Sequence, residues 1–253
     1  MLNIIGIGLR GYKSITLEQL DAIKNSDIVY FETYTSISPE NTFDYLRSIT
    51  GKKLIKADRN TVESSNEIIK NALNSNVSFI VTGDALTATT HNELRLEAIK
   101  NGIDVKIFEN ASIFTAFPSR TGLFNYRFGP VISLPFIYEN FFPLSVYDKI
   151  YKNYVNDFHT LILLDLKNGQ TMEINEALDI LIKMEEKRNG NIINYDTFII
   201  AGFNIAREDE YIIAGHIKDV INKKISMSPA SIILPAKLND KEIEFVKIFC
   251  DNV

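Results

Sequence analysis

Short apolar runs at 2–6, 27–32, 53–56, 77–81 and 103–108 punctuate the first part of the chain. Each is too short for a helix and is bounded by polar or glycine residues, so each reads as a buried strand. Between the runs, apolar residues recur at helical spacing. Thr16 with Gln19 three residues on predicts a capping box, with Leu17, Leu20 and Ile23 as the inward face of the helix it opens. Further helices are predicted near 40–49, over 61–74 with Val62, Ile68, Ile69 and Leu73 inward, and over 92–100 with Gly102 as the stop. This alternation predicts a mainly parallel sheet covered on both faces.

The alternation weakens after residue 110. A helix opening at 111–116 ends at Gly122, and a strand at 131–134 leads into an aromatic, proline-bearing segment at 135–143. A helix at 147–156, an apolar strand at 160–165 and a helix at 173–187 follow. Strands at 197–203 and 210–214 face each other across Arg207-Glu208-Asp209, and a helix at 217–223 and a strand at 231–234 come near the end. More strands per helix point to α+β with antiparallel pairing. The expected architecture is an α/β domain at 1–112 and a mixed α+β domain at 113–253. No internal repeat or low-complexity segment is present.

Composition narrows the function classes. Apolar residues make up 45% of the 253 positions and charged residues 23%, an ordinary globular balance. No apolar run approaches membrane-spanning length, and no signal-peptide pattern opens the chain, so neither membrane nor secretion is expected. Cys250 is the single cysteine, which excludes an internal disulfide and a cysteine metal cluster. The expected compartment is the cytoplasm. With a net charge of −5 and no basic block, nucleic acid is not an expected partner.

The chemistry concentrates after the fourth strand, in Gly83-Asp84-Ala85-Leu86-Thr87-Ala88-Thr89-Thr90-His91. A loop at the carboxyl end of a central strand is where open α/β sheets bind ligands. This one is small and hydroxyl-rich and brings one carboxylate, Asp84. Gly6-x-Gly8-x-x-Gly11 has the spacing of a dinucleotide fingerprint, with Glu32 where a ribose-binding acid would stand. A true fingerprint would start its helix at the third glycine, whereas here the cap falls at Thr16; the glycines also serve simply as a tight strand exit. There is no P-loop. His91, His159 and His216 lack metal-ligand spacing, so no metal is expected. Ser112 lacks a nucleophile elbow and reads equally as a helix cap; Asp84 reads equally as a turn cap, and Leu164 as plain core.

Taken together, several segments resemble the diphthine synthases, methyltransferases of the tetrapyrrole-methylase fold. They are Gly6-Ile7-Gly8-Leu9, Glu32-x-Tyr34-Thr35-Ser36, Gly83-Asp84-x-Leu86-x-Ala88-Thr89-Thr90-His91, Ser112-Ile113 and His159-Thr160-Leu161 through Leu164-Asp165-Leu166-Lys167. The likeness continues through Ala214-Gly215-x-Ile217-Lys218-Asp219 and Pro235-x-Lys237-Leu238. The acidic loop ending in Ala-Thr-Thr-His, followed by a serine–isoleucine pair, is its specific part. The resemblance implies two α/β domains with S-adenosylmethionine in the cleft between them, S-adenosylhomocysteine as product, elongation factor 2 as the protein substrate, and a homodimer. Carried over by position, the cofactor contacts fall on Leu9, Asp84, Thr87, Ser112, Ile113, Leu164, Ile205 and Ala230. Departures from the family pattern are Ala85 for a proline, Gly11 and Ser14 for acids, Thr87 for a valine and Ala230 for a histidine.

Methyl transfer to an amine is an in-line displacement, so positioning is expected to carry most of the rate. No general base is assigned; Glu32, Tyr34 and His91 are candidates by location. Competing readings are a precorrin-type methyltransferase of the same fold, a nicotinamide-dependent oxidoreductase with its helix capped at Gly11, and a non-enzymatic module that binds elongation factor 2.

Overall fold

The structure, a computed structural model, describes every residue except Asn140 and Asn168; Asn140, within the expected aromatic segment, thus lies outside the described residues. The chain divides into two compact units, Met1–Ile113 and Phe114–Val253.

The first unit alternates strand and helix: β1 (Leu2–Gly6), α1 (Leu17–Lys24), β2 (Ile28–Glu32), α2 (Thr42–Thr50), β3 (Leu54–Ala57), α3 (Arg59–Glu63), α4 (Glu67–Ala72), β4 (Val77–Val81), α5 (His91–Lys100) and β5 (Val105–Phe108). All five strands are parallel, in the order β3-β2-β4-β1-β5. Strand alternation sends neighbouring residues to opposite faces. Ile4, Tyr30 and Phe79 pack on one side with Ile68 and Leu94, while Ile5, Val29, Phe31 and Ile80 pack on the other with Ile23 and Leu46. Both faces are apolar, as a covered parallel sheet requires.

Two helix readings are corrected. The capping box at Thr16 forms as expected, but Leu17 is 82% exposed and Gln19 takes the inward place beside Ile23. The Gln19 amide donates to the carbonyls of Gly6 and Glu109, and those bonds compensate its burial. The helix expected over 61–74 is two helices. Asn66 adopts a left-handed conformation (φ 54°), restarting the phase so that Ile68, Ile69 and Ala72 face inward and Leu73 is 52% exposed. Asparagine tolerates that region better than most residues.

The second unit is mixed. Its elements are α6 (Ile113–Thr121, beginning at the division), β6 (Ile132–Leu134), α7 (Leu144–Val155), β7 (Thr160–Leu164), the hairpin strands β8 (Leu166–Lys167) and β9 (Gln170–Thr171), α8 (Ile174–Arg188), β10 (Phe198–Phe203), β11 (Tyr211–His216), α9 (Ile217–Asn222), β12 (Ala230–Leu234), α10 (Asp240–Phe249) and β13 (Asp251–Asn252). The sheet runs β13-β11-β10-β12-β7-β6, antiparallel in its centre and parallel at both edges. Leu178, Leu181 and Met184 of α8 bury against Ile162, Ile199 and Ile232. Helix α10 was missed from sequence, although Asn239 and Glu242 form a second capping box at its start.

Candidate active site

In the first unit the carboxyl ends of β1 and β4 are stitched together. Gly8 N–H donates to the Gly83 carbonyl and Gly83 N–H to the Gly8 carbonyl, each at 3.0 Å. Both glycines are left-handed, with φ 70° and 83°. A Cβ at Gly8 would stand 2.7 Å from Asn110 Oδ1, so that position is filled. A Cβ at Gly83 would meet nothing closer than Leu9 Cδ2 at 3.7 Å and the Ala111 carbonyl at 3.9 Å. A side chain at Gly83 would therefore make only ordinary van der Waals contact, with Leu9 and the segment leading to Ser112.

Asp84 follows at once and is partly buried. Its Oδ1 accepts from Leu86 N (3.1 Å) and the Thr87 hydroxyl (2.6 Å), and its Oδ2 accepts from Asn110 N at 3.4 Å. Burial pushes its carboxyl up, but the hydrogen bonds from Thr87, Leu86 and Asn110 outweigh this and hold it below the usual aspartate range. It is ionised at neutral pH, and Oδ2, with one long bond, keeps acceptor capacity for a ligand. Asn110 links three loops. Its amide donates to the Ser14 carbonyl (3.0 Å) and to Gln19 Oε1 (3.2 Å), and its Oδ1 accepts from Ala111 N (2.7 Å). Sequence reasoning missed both Asn110 and the inward role of Gln19; Gln19 was visible only as the partner of Thr16 in the capping box.

The three candidate bases differ. Glu32 is buried and accepts from Tyr34 N (2.5 Å), Thr35 N (2.5 Å) and the Thr35 hydroxyl (2.9 Å), so its carboxylate shapes its own loop. Burial raises its pKa against those bonds. Burial also lifts the Tyr34 phenol to about 12, so it stays protonated and lies beside Glu63 and Thr90. The fully buried His91 ring meets Phe79 and Tyr34 edge to face. Its Nδ1 lies 3.1 Å from the Ala85 carbonyl and must be the protonated nitrogen there. Nε2 then carries a lone pair with no partner among the described residues, and burial holds the ring below the ordinary histidine range.

Leu164, Ile205 and Ala230 gather at one end of the second unit's sheet. Ala230 pairs with Phe203, and Ser231 pairs with Leu163, one residue before Leu164. Asn204 N–H donates to the Pro229 carbonyl at 2.9 Å, holding the turn that carries Ile205 against the start of β12. Ile205 and Ala230 are both nearly buried. The eight nominated residues thus form one cluster in each unit: Leu9, Asp84, Thr87, Ser112 and Ile113 in the first, and these three in the second.

His159 has a structural place. Its Nδ1 accepts from Ala236 N (3.0 Å), so Nε2–H donates to Glu242 Oε1 (3.0 Å), and Arg127 engages the other oxygen of Glu242. Both His159 and Glu242 are fully buried. The oxidoreductase reading fails on geometry: Gly11 opens only a 3-10 turn (Gly11–Ser14), and α1 begins six residues later at Leu17.

Residues 1–221 match the family model of the Tetrapyrrole (Corrin/Porphyrin) Methylases. The whole chain aligns with the diphthine synthase of Thermoplasma acidophilum at 41% identity over 253 residues, covering 100% of this chain and 97% of the relative. The chain belongs to the diphthine synthase family of tetrapyrrole methylases. The diphthine synthase of Methanosphaera stadtmanae is 36% identical, with 99% and 96% covered. A crystal structure of a diphthine synthase superposes with a TM-score of 0.89 at 28% identity, covering 100% of this chain and 96% of that one. A crystallised Entamoeba histolytica protein assigned to the same enzyme gives 0.91 at 33%, with 100% and 98% covered. A diphthine synthase family member with this fold is a methyltransferase. Among the described residues no helix is long and apolar enough to cross a membrane.

Proposed function

We propose that the chain is an S-adenosylmethionine-dependent N-methyltransferase of diphthamide synthesis. It acts on the amino group of the modified histidine of elongation factor 2 and gives diphthine by three successive transfers. The reaction then runs in the cytoplasm with its protein substrate, and the enzyme works as a homodimer. The single observation that carries the reading is the ionised Asp84, held by three hydrogen bonds directly after the left-handed Gly83.

The residues present fit the cofactor. It carries positive charge and a flat apolar base, which suit the ionised Asp84 carboxylate and the half-buried apolar Leu9 beside Gly83. Leu9, Asp84, Thr87, Ser112 and Ile113 of the first unit would hold it. When bound, S-adenosylmethionine supplies a methyl group on a sulfonium that departs as S-adenosylhomocysteine. The chain's own contribution is placement. Thr87 and the Leu86 and Asn110 amides fix the Asp84 carboxylate. The acceptor amine must lose a proton to attack. Glu32 is committed to its loop, Tyr34 is a donor and the lone pair of His91 Nε2 is fully buried, so none of the three is assigned as the base.

Labelled methyl transfer to elongation factor 2 bearing the unmethylated precursor tests the reading. Label on the modified histidine is the expected result. Transfer to a precorrin in preference to the factor would overturn it in favour of the tetrapyrrole substrate.

A further inference from the structure

At the end of the first unit's sheet opposite the central loop, α2 runs into β3 through Gly51-Lys52-Lys53. Phe43, Arg47, Gly51, Lys52, Lys53 and Leu54 line a cleft there of about 550 Å³. Gly51 is the left-handed residue that ends α2 (φ 65°), and its turn brings the two lysines round beside Arg47. Among the described residues none of these three cations is in an ion pair. Asp44, one turn before Arg47 on the same helix, does not pair with it either. Three like charges thus line one concavity that holds no acid, in a chain whose net charge is −5. Lys56 adds a fourth cation at the rim, lying 5.3 Å from the centre of the Phe43 ring.

We propose that this cleft is a docking site for an acidic segment of the protein that receives the methyl group. The inference rests on the protein-substrate reading above and adds a place on the enzyme for it. The chemistry favours carboxylates on a peptide over a nucleic acid. Nucleic-acid grooves pair cations with free aromatic faces on which bases stack. The one ring here, Phe43, is occupied, edge to face with Phe31 at 5.5 Å and covered by Lys56. The cleft is also short, built from one helix end and one turn. Its place at the amino ends of the strands separates it from Asp84 and Gly83 at the carboxyl ends. It therefore acts on capture of the acceptor and leaves the chemical step alone.

The test uses the full-length enzyme and the double variant Arg47→Glu/Lys53→Glu. Titration with fluorescently labelled octaglutamate should show saturable binding to the wild type that weakens as salt rises and falls at least about tenfold in the variant. In methyl transfer to elongation factor 2, the variant should raise KM about tenfold with kcat unchanged. Unchanged affinity for S-adenosylhomocysteine and an unchanged melting temperature show that the variant is folded. Failure of octaglutamate to bind, or an unaltered KM, overturns the docking site. Tighter binding of an oligouridylate than of octaglutamate at the same site overturns it in favour of a nucleic acid. If octaglutamate binds as described but the wild type transfers nothing to elongation factor 2, the charge chemistry of the cleft stands and the choice of acceptor fails.

Discussion

Gly8 and Gly83 share a backbone conformation but not an environment, and replacing each by alanine separates two costs. Both sit at positive φ, 70° and 83°. An L-residue there costs about 1–2 kcal/mol. At Gly83 nothing is added, because the nearest atom to the new Cβ is Leu9 Cδ2 at 3.7 Å. At Gly8 the Cβ would lie 2.7 Å from Asn110 Oδ1 and 2.8 Å from Ser14 Cβ, so Asn110 must move. Asn110 is fixed by bonds to Ser14, Gln19, Ala111 and Asp84, and forced overpacking of this kind costs about 1–3 kcal/mol more. Gly8→Ala should therefore destabilise by about 2–5 kcal/mol and Gly83→Ala by about 1–2 kcal/mol. Urea unfolding followed by circular dichroism measures both, read as midpoint shifts at constant slope. Ligand affinity should respond differently. The Gly83 methyl group would stand against Leu9, a nominated cofactor contact, so Gly83→Ala should weaken S-adenosylhomocysteine binding about tenfold or more while staying the more stable variant. Equal destabilisation by the two substitutions would refute the packing argument, and full ligand affinity in Gly83→Ala would refute the placing of the ligand beside Leu9.

Three further outcomes are expected. Burial keeps His159 neutral in the fold, whereas the unfolded chain takes up its proton near pH ~6.5; stability is thus complete above that pH and is lost as pH falls below it. Urea midpoints at about pH 7.5 and pH 5.5 should drop in the wild type and drop less in His159→Gln, and an equal drop would remove His159 from the cause. Cys250 is buried with its thiol pushed up to about 12, so a thiol reagent should label it only on unfolding; rapid labelling of the folded protein would contradict that placement. Leu17→Gln should change stability by less than about 0.5 kcal/mol, since the side chain is exposed, while a loss of core-residue size would show that Leu17 is buried after all.

Much of the architecture was legible because it rests on periodicity. The five parallel strands and the α/β character follow from apolar runs that are buried on both faces. Where the reading failed, a single polar residue overrode the pattern. Gln19 took an inward place that apolar spacing gave to Leu17, because two carbonyls were there to receive its amide. Asn66 broke a helix that its neighbours would otherwise have continued. Helix α10 carries a capping box and a fully buried glutamate, and Glu242 inside a helix gives no hint of His159 and Arg127 far away in sequence. The central loop was legible through its motif. The part played by Asn110 was not, because its partners come from loops some ninety residues away.

The measurement closest to the central claim is calorimetric titration with S-adenosylhomocysteine on the wild type and Asp84→Ala. Hydrogen bonds to a charged group are worth about 1.5–3 kcal/mol, so one-per-chain binding should weaken about tenfold to a hundredfold in the variant. Absence of binding by the folded wild type, or equal affinity in the two proteins, would contradict the account.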